Sequence, residues 1–134
     1  MYRFLKQNDK FRDDISILQD LIKDCEYFIH GEIGNYLYFH TSSPIEIKGI
    51  EKIEADFMYL VVIEPELKDI SAHYELVNKR VRDKIRELYT LEDELRIHRL
   101  RDIEPETFAD YNQWCEECRN WGNEQKTLMG FSNE

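Results

Sequence analysis

The run Phe57-Met-Tyr-Leu-Val-Val-Ile63 is the most apolar stretch of the chain, and its reading decides the fold. Seven residues rich in β-branched and aromatic side chains, closed by Glu64-Pro65, predict a central strand buried on both faces. Working outward, Asn35-Tyr-Leu-Tyr-Phe-His-Thr41 reads as another strand, broken by Ser42-Ser43-Pro44. Between the two, Ile45, Ile47, Ile50 and Ile53 alternate with Glu46, Lys48, Glu51 and Glu54, which predicts a strand with a bulge or turn at Gly49. At the N-terminal end, residues 2–6 form a short strand in this reading, with Tyr2, Phe4 and Lys6 on one side and Arg3 and Leu5 on the other.

Helical spacing marks three further segments. From Asp9 onward, Phe11, Ile15, Leu18, Ile22, Cys25 and Ile29 recur at steps of three or four and share one stripe, widened by Ile17, Leu21 and Phe28. Gly31 is the stop of that helix. A second long helix is expected over about Asp69 to Tyr89, where Ile70, Tyr74, Val77, Val81, Ile85 and Leu88 form a narrow seam. Residues 94–101 alternate as a strand with Leu95 and Ile97 inward. Pro105 then opens a third helix, whose face carries Phe108, Tyr111, Trp114, Cys115, Cys118 and Trp121, and which Gly122 ends or kinks. The order is β-α-β-β-β-α-β-α. It predicts a single α+β domain over residues 1–134, with a mixed or antiparallel sheet of four to five strands and three helices.

Composition bounds the function classes. A chain of 134 residues with 42% hydrophobic and 34% charged side chains is enough for one self-supporting core and is not that of a disordered or fibrous chain. There is no run of 18 apolar residues to span a membrane. The opening MYRFLKQNDK has no apolar signal core, and three cysteines (Cys25, Cys115, Cys118) cannot all pair within one chain; both point to a cytoplasmic location with free thiols. A net charge of −10 counts against direct binding to nucleic acid or anionic membranes. The charge is unevenly placed. Residues 1–78 hold 8 basic against 15 acidic side chains, residues 79–101 hold 8 against 5, and residues 102–134 hold 2 against 8.

Three short stretches resemble known catalytic motifs. Trp114-Cys-Glu-Glu-Cys118 resembles the WCxxC site of the thioredoxin family, in which a helix N-terminus lowers the first thiol's pKa. Here it falls in mid-helix, and two adjacent glutamates disfavour a thiolate, so two buried cysteines are expected instead. As half of a zinc site the pair needs two more ligands, and His30, His40, His73 and His98 are scattered singly. Glu46-Ile-Lys48 resembles the metal-binding half-motif of PD-(D/E)xK nucleases, but no acidic residue stands on the preceding strand, Asn35 to Thr41. His40-Thr41 resembles the His-x-Thr of ADP-ribosyltransferases, with the threonine one position too early. There is no glycine-rich phosphate loop. No catalytic residues, cofactor or metal are assigned.

The basic segment is the remaining candidate. Arg82 and Arg86 share a helix face, and Arg96 and Arg99 lie on the following strand; with Tyr74 stacking, these guanidinium groups suit a small anionic or nucleotide ligand. The leading expectation is nevertheless a non-catalytic binding or regulatory protein that works through protein–protein contacts. By size and charge alone it is comparable to inhibitor, immunity or phage anti-defence proteins. Acidic outer segments would speed docking onto a basic partner surface, with Tyr111, Trp114 and Trp121 as aromatic anchors. A homodimer through a helix seam is the second assembly expected.

Overall fold

The computed structural model describes residues 1–6 and 11–132. In chain order the described elements are β1 (Tyr2–Leu5), α1 (Phe11–Leu21), β2 (Tyr27–Ile33), β3 (Tyr36–Thr41), β4 (Ile50–Lys52), a π-helical turn (Tyr59–Ile63), α2 (Glu64–Ile70), α3 (Ala72–Leu88), α4 (Leu91–Arg99) and α5 (Pro105–Leu128). The α+β class holds. The sheet has four strands, all antiparallel, in the order β2-β3-β1-β4. The chain falls into two compact units, Met1–Glu75 with Lys126–Glu134, and Leu76–Gln125.

In the first unit, period-two alternation sends Tyr2 and Phe4 of β1 and Leu37 and Phe39 of β3 to one face, where they meet Leu18 of α1 and Ile22 just after it. The Tyr2 and Phe39 rings stack with centroids 5.7 Å apart. Ile45, Ile47 and Ile50 close this core from the side. The long helix expected from Asp9 to Gly31 is therefore corrected: its start at Asp9 lies outside the described residues, α1 ends at Leu21, and Tyr27–Ile33 is a strand. The stripe through Cys25 and Ile29 was a coincidence of spacing. The stronger local signal is Gly34-Asn35. Gly34 has φ +61 while Asn35 keeps a negative φ, as in a two-residue II′ turn, and the turn folds β2 back onto β3. Of the strand expected over Ile45 to Ile53, only Ile50–Lys52 pairs, against β1; Gly49, at φ +91, turns the chain into it.

The largest correction concerns Phe57–Ile63, which is helical and not a central strand. Asp56 is the reason. Its carboxylate Oδ1 accepts the Tyr59 amide at 2.9 Å, the N-cap interaction that opens a helix. Pro65, which has no N–H to give to a preceding turn, follows directly. The chain widens ahead of it into a π turn, in which the Glu64 amide reaches back to the Tyr59 carbonyl. The expected helix from Asp69 to Tyr89 is two helices, α2 and α3, parted at Ser71, which is extended at ψ 116°.

The second unit is helical. Thr90 and Asp93 form a reciprocal capping box that starts α4 where a strand was expected over residues 94–101. Ile97 of α4 packs with Tyr111 and Cys115 of α5, flanked by Ile85, Tyr89 and Phe108. Pro105 opens α5 as expected. Gly122 does not end it. That glycine is buried where a Cβ would lie 2.5 Å from Val81 Cγ2, so the absent side chain lets α3 and α5 approach.

Candidate functional site

Two surfaces of the first unit stand out, and both arise from local sequence rules. The first is the apolar ridge made by the helical start and π turn. Tyr59 is buried, whereas Phe57, Met58, Leu60, Val61 and Val62 are exposed, Phe57 by 79% and Val61 by 53%. Five large apolar side chains in six consecutive positions thus face solvent, and Glu54, Asp56, Glu66 and Asp69 flank them, all exposed. Glu64 is the buried acid of this region. It accepts from the Ser132 amide and hydroxyl and pairs with Lys68 Nζ at 3.6 Å. Burial and the adjacent Glu64 push the Tyr59 phenol above its ordinary range. Beside the ridge lies a cavity of about 210 Å³ lined by Arg3, Lys52, Glu54, Asp56, Met58 and Tyr59, among others.

The second surface runs along β2. Among the described residues, β2 is the end strand of the sheet and has one edge without a neighbour. The Ser42 amide donates to the Glu26 carbonyl at 3.0 Å, so Glu26 and Phe28 turn their backbone groups toward β3, and Tyr27 and Ile29 turn theirs to the open edge. A cavity of about 470 Å³ follows this edge, between Ile15 and Gln19 of α1 on one side and Ile70, Ala72 and His73 on the other. At its end β2 bulges. Ile29 stands opposite Phe39 and Gly31 opposite Tyr38, which leaves His30 as the extra residue. Gly31 has φ +148, and a Cβ there would sit 2.8 Å from Ile70 Cδ1, so glycine is what lets Ile70 close the cavity.

The bulge aims the His30 ring into a buried polar junction. Its Nε2 lies 2.8 Å from the Met129 carbonyl, which only accepts, so that nitrogen carries the hydrogen. Nδ1 then accepts from the Ser71 hydroxyl at 2.7 Å, and Ser71 Oγ in turn accepts the Tyr74 amide at 3.3 Å as the N-cap of α3. The rings of His73 and Phe131 pack against His30, and Phe28 packs on His73. Desolvation lowers the His30 pKa to about 4, with His73 and His40 adding like-charge opposition. With both ring nitrogens engaged and the ring neutral, His30 is a structural joint of β2, α3 and the C-terminal segment.

The residues expected from sequence are placed as follows. Tyr74 belongs to the first unit, where its ring packs on Phe131 with Lys126 Nζ 4.4 Å from its centroid. Arg82, Arg86, Arg96 and Arg99 belong to the second. Arg96 and Arg99 lie in the last turn of α4 and not on a strand. Arg86 is held by Glu94 at 2.7 Å, and the same carboxylate oxygen accepts the Tyr111 hydroxyl at 2.7 Å. Arg86, followed by the Tyr111 hydrogen bond, holds the Glu94 carboxyl below its usual range. Tyr111 is buried. Trp114 is half-buried and donates from Nε1 to the Lys84 carbonyl at 3.2 Å, and Lys84 Nζ sits 4.6 Å from the centroid of the half-buried Trp121.

The motif-like stretches are equally plain. Cys115 and Cys118 are buried inside α5, and burial raises the Cys118 thiol pKa. Glu46 and Lys48 are exposed and lie outside the strands. His40 has its Nδ1 close against Gly130. Among the described residues, no three His, Cys, Asp or Glu side chains converge as metal ligands.

Sequence reasoning missed both first-unit surfaces. The ridge was hidden because apolar content was read as burial. The His30 joint was hidden because its partners lie 41 and 99 residues away in sequence. Comparison with family models, with curated proteins and with solved structures finds no match for this chain.

Proposed function

We propose that this chain is a non-catalytic docking protein that acts through protein–protein contacts. The observation that carries the reading is the exposed ridge of Phe57, Met58, Leu60, Val61 and Val62. Contiguous apolar side chains rimmed by polar residues mark interaction surfaces, whereas scattered ones do not. Fully burying such side chains is worth roughly 1.5–3 kcal/mol each. Five together are of the order of the 4–15 kcal/mol that association costs. The flanking Glu54, Asp56, Glu66 and Asp69, together with a net charge of −10, select a partner whose apolar groove has a basic rim, and they disfavour a second copy of the chain.

The test is a triple variant, Phe57→Ser with Val61→Ser and Val62→Ser, compared with the parent chain. Since these side chains are exposed, folding stability should change little. The expected result is a stoichiometric, salt-sensitive complex with a basic protein that forms with the parent and is lost in the variant. A complex that the variant retains would sink the reading. A parent that is dimeric in light scattering, with a monomeric variant, would transfer the ridge to self-association.

A further inference from the structure

We propose that the groove along the open edge of β2 receives an extended, cationic segment of a partner protein, which pairs with Tyr27 and Ile29 as a fifth strand of the sheet. This site is separate from the Phe57–Val62 ridge.

Four features of the first unit carry it. The backbone N–H and C=O groups of Tyr27 and Ile29 point along the open edge, offering four hydrogen bonds in the geometry of strand addition. Ile15 and Gln19 of α1 form one wall and Ile70, Ala72 and His73 the other, so the edge lies in a groove about 470 Å³ in volume and not on a flat rim. Among the described residues, the lining holds no carboxylate, lysine or arginine, and His30 within it has both ring nitrogens engaged elsewhere. Small apolar side chains on alternate positions of an added strand therefore suit it.

The fourth feature sets the charge. In the described segments that contribute the lining, residues 14–32 and 69–75, Asp20, Asp24, Glu26, Glu32, Asp69 and Glu75 are all exposed acids and Lys23 is the sole lysine or arginine. Glu32 pairs with Lys6 at 2.9 Å, and the remaining exposed acids favour cationic flanks on the incoming strand. A second copy would bring the same acids against themselves. The bulge at His30, and Ile70 closing over Gly31, limit the regular ladder to Tyr27 and Ile29, so the added strand is short.

The experiment is an NMR titration of the full chain with the capped peptide Lys-Val-Lys-Val-Lys-Val-Lys, alongside the same peptide N-methylated at its valines and a Glu-for-Lys counterpart. The expected result is saturable binding in which the Tyr27 and Ile29 amides exchange at least about tenfold more slowly. Binding should be lost with the N-methylated and acidic peptides, and in Ala72→Trp, whose indole fills the groove from an exposed position in the first turn of α3. The variant's thermal midpoint should match the parent's, and the Phe57/Val61/Val62 serine variant should bind the peptide normally, which separates this site from the ridge. No protection at millimolar peptide, equal binding by the N-methylated or acidic peptide, or unchanged binding by a folded Ala72→Trp would overturn the proposal. Protection of the same amides that grows with protein concentration alone would also overturn it, in favour of a second copy as the occupant.

Discussion

The Ser71 hydroxyl donates to His30 Nδ1 at 2.7 Å across 41 residues of sequence, and both side chains are buried. This one bond ties the bulge of β2 to the break between α2 and α3. The opposite ring nitrogen ties the bulge to Met129 in the C-terminal segment. The Ser71 bond requires the neutral ring with its hydrogen on Nε2, because a protonated imidazole has no acceptor left for the Ser71 hydroxyl, whereas the Nε2 bond to the Met129 carbonyl is kept in either state.

Acid should therefore destabilise the first unit through His30. The ordinary value of 6.5 falls to about 4 in the folded chain, so the unfolded chain binds the proton more readily. Stability is full above about pH 6.5 and is lost progressively as pH falls toward 4, with a total of about 3 kcal/mol for a shift of this size. The groups facing His30 sharpen the effect, since His73, His40 and the N-terminal amino group all oppose a positive ring there. Urea unfolding at pH 7 and pH 4.5 should show a steeper fall for the parent than for His30→Gln, whose carboxylates titrate alike. Equal slopes would mean that His30 is not the sensor.

Gly122→Ala should destabilise the second unit even though alanine is the better helix former. The gain in propensity is about 1 kcal/mol. Against it, the new methyl would lie 2.5 Å from Val81 Cγ2, on a stiff β-branched side chain, and overpacking of that kind costs roughly 1–3 kcal/mol. A lower thermal midpoint by circular dichroism is expected. A higher midpoint would show that α3 and α5 have room to spare.

Thr90→Ala should cost about 1 kcal/mol by deleting one half of the capping box that starts α4. Asp93→Ala should cost a similar amount, and the double variant less than the sum of the two, because each removes the same device. Strictly additive losses in chemical denaturation would show that Thr90 and Asp93 cap independently.

The capping box also explains what was legible in the sequence and what was not. Strand β1, strand β3 and the opening of α5 at Pro105 follow from alternation, from aromatic-rich composition and from proline's fixed φ respectively, which are local properties. Residues 94–101 were misread because Leu95 and Ile97 alternate by chance, while Thr90 and Asp93, three residues apart, carried the helix signal. Phe57–Ile63 was misread for a related reason. Apolar β-branched composition says that a segment fits a strand, but Asp56 as an N-cap and Pro65 as a donor-less residue decide the backbone. Of the site, the acidic flanks were legible as net charge. The exposure of Val61 and Val62 was not, because composition cannot say which apolar run the fold leaves uncovered. Nor was the groove along β2, which depends on strand order.

The three thiols should divide sharply in reactivity, and the division bears on the resemblance of Trp114–Cys118 to a redox motif. Cys115 and Cys118 are each only 2% exposed and sit within α5, and burial, with the neighbouring Cys115 next in effect, raises the Cys118 pKa. Burial keeps both thiols from the reagent, and the raised pKa of Cys118 further disfavours the thiolate that disulfide exchange requires. Cys25 lies half-buried in the turn between α1 and β2, where a reagent can reach it. Titration of the native chain with an aromatic disulfide at pH 7.5 should release one equivalent of thiol quickly and the other two only as the second unit opens. Those two slow equivalents should become fast in denaturant, and Cys25→Ser should abolish the fast phase alone. A fast phase that survives in Cys25→Ser and disappears in Cys115→Ser would instead make the pair in α5 an accessible, reactive dithiol.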